Sequence, residues 1–158
     1  MPTAPNQRQP KTAQEIPSRQ VKTGGDPESL DKETIAWHFH RRDVPHADWG
    51  WGKLRPPDWR EVLVHLVALE GLTWADIKAQ AGGRRRGTNH HPIEFAEFTP
   101  TARHRLEQLR LDEFASLFSL RLTNTLRLYG VRDGRVMQLV WHDPFHGSRR
   151  GACPTSRR

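Results

Sequence analysis

Residues 126–143, LRLYGVRDGRVMQLVWHD, decide the fold of this chain. Apolar and polar residues alternate on both sides of Asp133-Gly134, the pattern of two half-buried strands joined by a tight turn. An Asp-Gly pair favours a type I′ hairpin, because both central positions of that turn need positive φ. Centring a two-residue loop on the pair predicts Leu128 opposite Leu139 and Leu126 opposite Trp141. Upstream, a three-residue loop at Thr123 to Thr125 adds a third strand over 118–122, with Leu122 opposite Leu126 and Leu120 opposite Leu128. One face of this meander is then predicted to carry Phe118, Leu120, Leu122, Leu126, Leu128, Met137, Leu139 and Trp141. The other, facing water, carries Arg121, Arg127, Tyr129, Gln138 and His142.

The sheet needs helices on its apolar face, and the upstream sequence supplies them. Pro57-Asp58 opens a helix whose Trp59, Val62, Leu63, Leu66 and Leu69 recur at helical spacing, and Gly71 stops it. Thr73 followed by Asp76 makes a short-armed capping box for a second helix to about Gln80. Ile93 to Phe98 predicts a short strand, and Thr99-Pro100 starts a helix to about Leu111 with Ala102, Leu106 and Leu109 inward. Between Glu33 and Trp51, an aromatic stretch broken by Pro45 and Gly50 reads as packed loop or short extended pieces. The expected class is therefore α+β: an N-terminal αα-hairpin, then a short strand, a helix and a three-stranded antiparallel meander. One domain spans 31–146, with its helical part at 57–80 and its meander-bearing part at 92–146. A polar tail, 1–30, precedes it and a basic tail, 147–158, follows; both are too poor in large apolar residues to order on their own.

The chain has 158 residues, room for one modest core. Its 25 Lys and Arg against 18 Asp and Glu leave a formal charge of +7, which favours polyanions, nucleic acid first among them. The alternative is that the excess reflects Arg-rich codon usage and loose basic termini. Cys153 is the single cysteine, so no intrachain disulfide forms and a reducing, cytoplasmic setting is expected. No run approaches the ~20 apolar residues of a membrane span, and no membrane partner is expected.

Candidate chemistry gathers on the polar face. Arg121 lies across from Arg127 in the predicted register, and like charges in that position repel. Either a phosphate-bearing ligand or a carboxylate such as Glu94, Glu97 or Glu113 should lie between them. His142 and His146 flank Asp143-Pro144-Phe145, placing two titrating groups near the arginines. The alternative is a tight turn at Pro144 with structural imidazoles. Pro144 prevents a helical pair of histidine ligands and no second cysteine exists, so neither metal nor cofactor is expected. The loop bearing Arg84, Arg85, Arg86, His90 and His91 could cradle phosphates beside Gln138 or be merely solvated.

Residues from about Trp37 to Pro154 resemble an uncharacterised family of small bacterial proteins that end in a strand followed by Trp-x-Asp-Pro-x-His. Here that ending is Trp141-His142-Asp143-Pro144-Phe145-His146. The order strand, helix and meander with basic residues and a late histidine also resembles the RelE/ParE-type toxins, whose ribosome-dependent members cut messenger RNA without metal. That resemblance implies an RNA-directed, toxin-like protein, a metal-independent endoribonuclease in its catalytic form. Arg121 and Arg127 would hold the phosphate, His142 or His146 would act as acid or base, and Tyr129 would complete the group. Only one helix separates Phe98 from Phe118, where those toxins have two. Two other classes stand beside it. Leu66 through Ile77 resembles the start of a helix-turn-helix, which implies DNA binding. The aromatic N-terminal half would equally serve a protein partner, such as an acidic antitoxin-like chain.

Overall fold

A computed structural model of the chain describes residues 30–80, 89–148 and 152–156. Arg84, Arg85 and Arg86, and the expected tail up to residue 29, lie outside the described residues. Among the described residues the fold is α+β, with a five-stranded mixed sheet in the order β1-β5-β4-β3-β2 and three complete α-helices. The strands are β1 (Ala36–His38), β2 (His91–Glu94), β3 (Ser116–Arg121), β4 (Arg127–Asp133) and β5 (Val136–Asp143). The helices are α1 (Pro56–Glu70), α2 (Trp74–Ala79) and α3 (Pro100–Gln108). Among the described residues no helix is long and apolar enough to cross a membrane.

Short-range signals explain the helix starts. Thr73 Oγ1 accepts from Asp76 N at 3.2 Å while Asp76 Oδ2 accepts from Thr73 N at 2.9 Å, a reciprocal cap built with aspartate. Thr99 Oγ1 accepts from Ala102 N at 3.2 Å, and Pro100 follows as the first residue of α3. The predicted strand over 93–98 is displaced: pairing with β3 runs from His91 to Glu94, and Phe95–Glu97 curl into a single 3-10 turn.

Strands β3, β4 and β5 are consecutive antiparallel neighbours, but their faces differ from expectation. The β4–β5 loop is Gly134-Arg135, because Asp133 pairs with Val136. Gly134 has φ +60 and Arg135 does not join it at positive φ, the pattern of a type II′ turn rather than I′. Gly130 consequently faces Leu139, and the ladder slips between Tyr129 and Gly130. A Cβ on Gly130 would stand 2.3 Å from the Gln138 carbonyl oxygen, so only glycine permits this approach. Val140 is the extra residue of the bulge, and beyond it Tyr129 pairs with Trp141, Leu128 with His142 and Arg127 with Asp143. Two consequences correct the sequence reading. Trp141 leaves the face of Leu120 and Leu128, and His142 takes its place there.

Both faces of the sheet are covered, so the expected solvent face does not exist over most of its length. On one side α1 and α2 pack Val62, Leu66, Trp74 and Ile77 against Phe118, Leu120, Leu128, Met137 and Leu139. On the other, Ala102 and Leu106 of α3 join Trp49, Phe98, Leu117, Tyr129, Val131, Val140 and Trp141. The aromatic segment after β1 clamps the two clusters together. The Val140 carbonyl, freed by the bulge, accepts from Asp43 N and from Trp51 Nε1, each at 2.9 Å. Part of the expected basic tail is also packed: Thr155 bridges Phe98, and Thr99 N donates to the Pro154 carbonyl at 2.8 Å.

Candidate functional site

The free end of the β3–β4 hairpin gathers most of the chemistry. Arg121 and Arg127 are cross-strand partners, as the three-residue loop demanded. Their guanidinium groups are held by neutral acceptors. Arg121 donates to Asn89 Oδ1 at 3.1 Å, Asn124 Oδ1 at 2.8 Å and the Thr123 carbonyl at 3.3 Å. Arg127 donates to the carbonyls of Thr123 at 2.7 Å and Leu126 at 3.1 Å. Among the described residues no carboxylate forms an ion pair with either; Glu94, Glu97 and Glu113 do not bridge them. Arg127 is only 9% exposed, which corrects the water-facing placement; burial and the Arg121 charge lower its pKa. Asp143, opposite it across β4–β5, pulls the other way without closing an ion pair.

The histidines converge on this pair only in part. His90, in the bend just before β2, is 3% exposed rather than solvated, and its Nδ1 accepts from Arg121 N at 3.1 Å while Nε2 meets Gln80 Oε1 at 3.0 Å. That arrangement requires a neutral ring carrying its proton on Nε2. Burial, with the charges of Arg127, His91 and Arg121, takes its pKa down to about 4. His91 is exposed at the start of β2, opposite Ser119. His142, turned by the bulge, lies on the α1 side with its ring 6.0 Å from Trp51. It borders a cavity of about 450 Å³ with Lys53, Arg55, Asp58 and Phe145, and burial lowers its pKa against the pull of Asp58 and Asp143. Gln138 belongs to the far end of the strand, where it receives Arg41 and donates to Asp133 Oδ2 at 3.3 Å.

Of the two histidines expected as acid or base, His146 is the one that stays beside the arginines. Its backbone N donates to the Thr125 carbonyl at 2.9 Å, tying it to the loop whose Thr123 carbonyl holds Arg127. Three polar groups surround its Nδ1: Tyr129 Oη at 3.1 Å, Cys153 Sγ at 3.4 Å and Asp143 Oδ2 at 3.6 Å. The Asp143 carboxylate and the Cys153 thiol raise the imidazole pKa to about 9. Burial pushes the Cys153 thiol up, but hydrogen bonds with His146 and Thr155 overcome it and leave the thiol lowered. Tyr129 is fully buried, and burial raises its phenol far above the usual range, so it acts here as a neutral hydroxyl.

Comparison with family models, curated proteins and solved structures finds no match. The functional reading therefore rests on geometry. Of the expected catalytic group, the fold assembles Arg121, Arg127, Tyr129 and His146 at one hairpin end and sends His142 through the sheet. Cys153 and Asp143 were missing from the expected site. The available signal was the spacing of Asp143, His146 and Cys153, but nothing local predicts that residues 152–156 fold back along Phe98.

Proposed function

We propose that this chain is an RNA-directed, toxin-like protein of RelE/ParE-like character, with Arg121 and Arg127 forming the seat for a backbone phosphate. The observation that carries the reading is the adjacent guanidinium pair bonded only to carbonyls and amides, with no ion-paired carboxylate among the described residues. Half-buried Arg121 meets the phosphate, and Arg127 behind it adds charge at low local dielectric. Paired-histidine catalysis finds no support, since His142 and His146 lie on opposite sides of the sheet and His90 is neutral. The reading is one of binding. Anisotropy of a labelled single-stranded RNA across a salt series tests it. The slope of log affinity against log salt should be steep and fall by about one unit in Arg121→Ala. A slope near zero for the wild-type chain overturns it. Slowed bacterial growth on expression, relieved by Arg121→Glu, tests the toxin-like part.

A DNA-reading α2 has less in its favour. It is six residues long, Asp76 is spent on capping, and Lys78 is paired with Asp31 at 2.7 Å. A protein partner has one supporting observation, the apolar patch of Leu63, Val64 and Val67 on α1, with both valines 64% exposed. Copurification of a partner from cells, lost in Val64→Glu with Val67→Glu, would support that role.

A further inference from the structure

Asp143, His146 and Cys153 are brought together by three separate features of the fold. The strand β5 delivers Asp143 opposite Arg127. The turn after it positions His146, with Asp143 Oδ1 accepting from Phe145 N at 3.0 Å. The segment 152–156, paired along Phe98, returns Cys153 from ten residues further on. One ligand atom from each residue, a carboxylate oxygen, an imidazole nitrogen and the thiol sulfur, lies within 4.8 Å of the other two.

Hydrogen bonding alone does not satisfy this cluster. An imidazole nitrogen makes one in-plane hydrogen bond, as donor or as acceptor, yet Tyr129 Oη, Cys153 Sγ and Asp143 Oδ2 all crowd the same Nδ1. The outcome is an orphan: Asp143 Oδ2 is buried without a hydrogen-bond partner, on a side chain 1% exposed. Leaving a carboxylate oxygen in that state is costly, and such atoms in native proteins commonly mark a ligand or an ion. A single cation would be bonded by all three groups at once.

The spacing fits a tetrahedral ion. Zinc bonds of about 2.3 Å to sulfur and about 2.0–2.2 Å to nitrogen or oxygen give tetrahedral edges of roughly 3.5 Å between S and N and roughly 3.4 Å between N and O. The corresponding separations are 3.4 Å from Cys153 Sγ to His146 Nδ1 and 3.6 Å from His146 Nδ1 to Asp143 Oδ2. A thiolate with an imidazole and one carboxylate selects a borderline-soft ion over Mg²⁺ or Ca²⁺. The outer groups are also in place, since the Phe145 amide orients Asp143 and Thr155 Oγ1 lies 3.3 Å from Cys153 Sγ.

We propose that Asp143 Oδ2, His146 Nδ1 and Cys153 Sγ form a binding site for a divalent transition-metal ion of the Zn²⁺ class, with a fourth position bordered by Tyr129. Three protein ligands with one further position is the arrangement of zinc sites that exchange a ligand rather than of closed structural ones. The inference does not rest on RNA binding.

Cobalt titration of the full chelator-treated chain tests it. The expected result is one Co²⁺ per chain, with thiolate-to-cobalt charge-transfer absorption, the intense visible bands of a tetrahedral ion, and displacement by Zn²⁺. Cys153→Ser should lose the charge-transfer band, and Asp143→Asn should weaken binding at least about tenfold, the loss already seen for outer partners. Far-UV circular dichroism of each variant confirms folding. Zn²⁺ should also raise the melting temperature of the wild type and leave that of Cys153→Ser unchanged. Cobalt bound without sulfur charge transfer, equal affinity in Cys153→Ser, or no binding by the folded wild type would each overturn the site. Neither optical nor melting readout involves nucleic acid, so failure of the RNA reading would leave this result interpretable.

Discussion

Arg121 and Arg127 were predicted as equivalent, and burial separates them. Arg127 is closed over by the sheet and serves loop carbonyls, whereas Arg121 remains half exposed. Arg127→Ala should therefore cost about 2 kcal/mol in denaturant unfolding, because it strands buried carbonyls. Arg121→Ala should cost less than about 1 kcal/mol and register mainly in the RNA salt slope. His90 offers a sharper test. Its pKa falls from 6.5 to about 4 on folding, so below about pH 6.5 the unfolded chain takes up a proton that the folded chain refuses. The His90 contribution to stability should decline as pH drops from about 6.5 to about 4, by on the order of 3 kcal/mol, and change no further below. Urea unfolding of wild type and His90→Gln across that window checks it: the variant should show a correspondingly shallower decline. Alternation and loop length already place Arg121 opposite Arg127. That His90 would be buried was hidden, because the strand beginning at His91 carries little apolar pattern of its own.

At the scale of elements, the β5 bulge controls which residues meet. Gly130→Val should force a Cβ into the Gln138 carbonyl and cost about 3 kcal/mol or more. Its near-ultraviolet circular dichroism should also change, since the bulged register sets the Trp141 ring 5.0 Å from that of Trp49, tilted by 53°. A Gly130→Val variant with wild-type stability and spectrum would contradict this account. Helix starts and the strands β3 to β5 were readable because capping and alternation act over four to eight residues, whereas the parallel edge strand β1 lay in a stretch read as loop or short extended pieces. The bulge was not, since glycine and an Asp-Gly turn permit several registers and the surrounding clusters select among them. Leu117, Val131 and Val140 belong to a second buried face. They occupy the face that polar neighbours made look solvent-exposed.

Across the whole molecule, Asp43 ties the two cores together. Its carboxylate is 1% exposed and accepts from Arg105 at 2.8 and 2.9 Å and from Trp141 Nε1 at 3.0 Å. Burial alone would raise its pKa; the bonds from Arg105 and Trp141 overcome that and leave it below 3.8. Its contribution is thus complete above the unfolded-state value near pH 4 and is lost as pH falls through the lower folded value. Asp43→Asn should cost about 3 kcal/mol at neutral pH, by leaving Arg105 unpaired beside a buried amide, and should flatten the acid limb of the stability curve. Thermal unfolding from pH 7 to pH 2.5 would show both effects, and parallel curves for the two proteins would refute them.

Local patterning by itself determined the three helices, the consecutive β3–β4–β5 strands and the cross-strand arginines, because each follows from contacts spanning only a few residues. The tertiary structure alone decided that His142 turns away from those arginines, that residues 152–156 return to Phe98, and that Cys153 therefore meets His146 and Asp143. The physical reason is that these placements depend on a Gly130 backbone contact and on pairings across 57 residues or more, such as Phe98 with Thr155, which no short window of sequence contains.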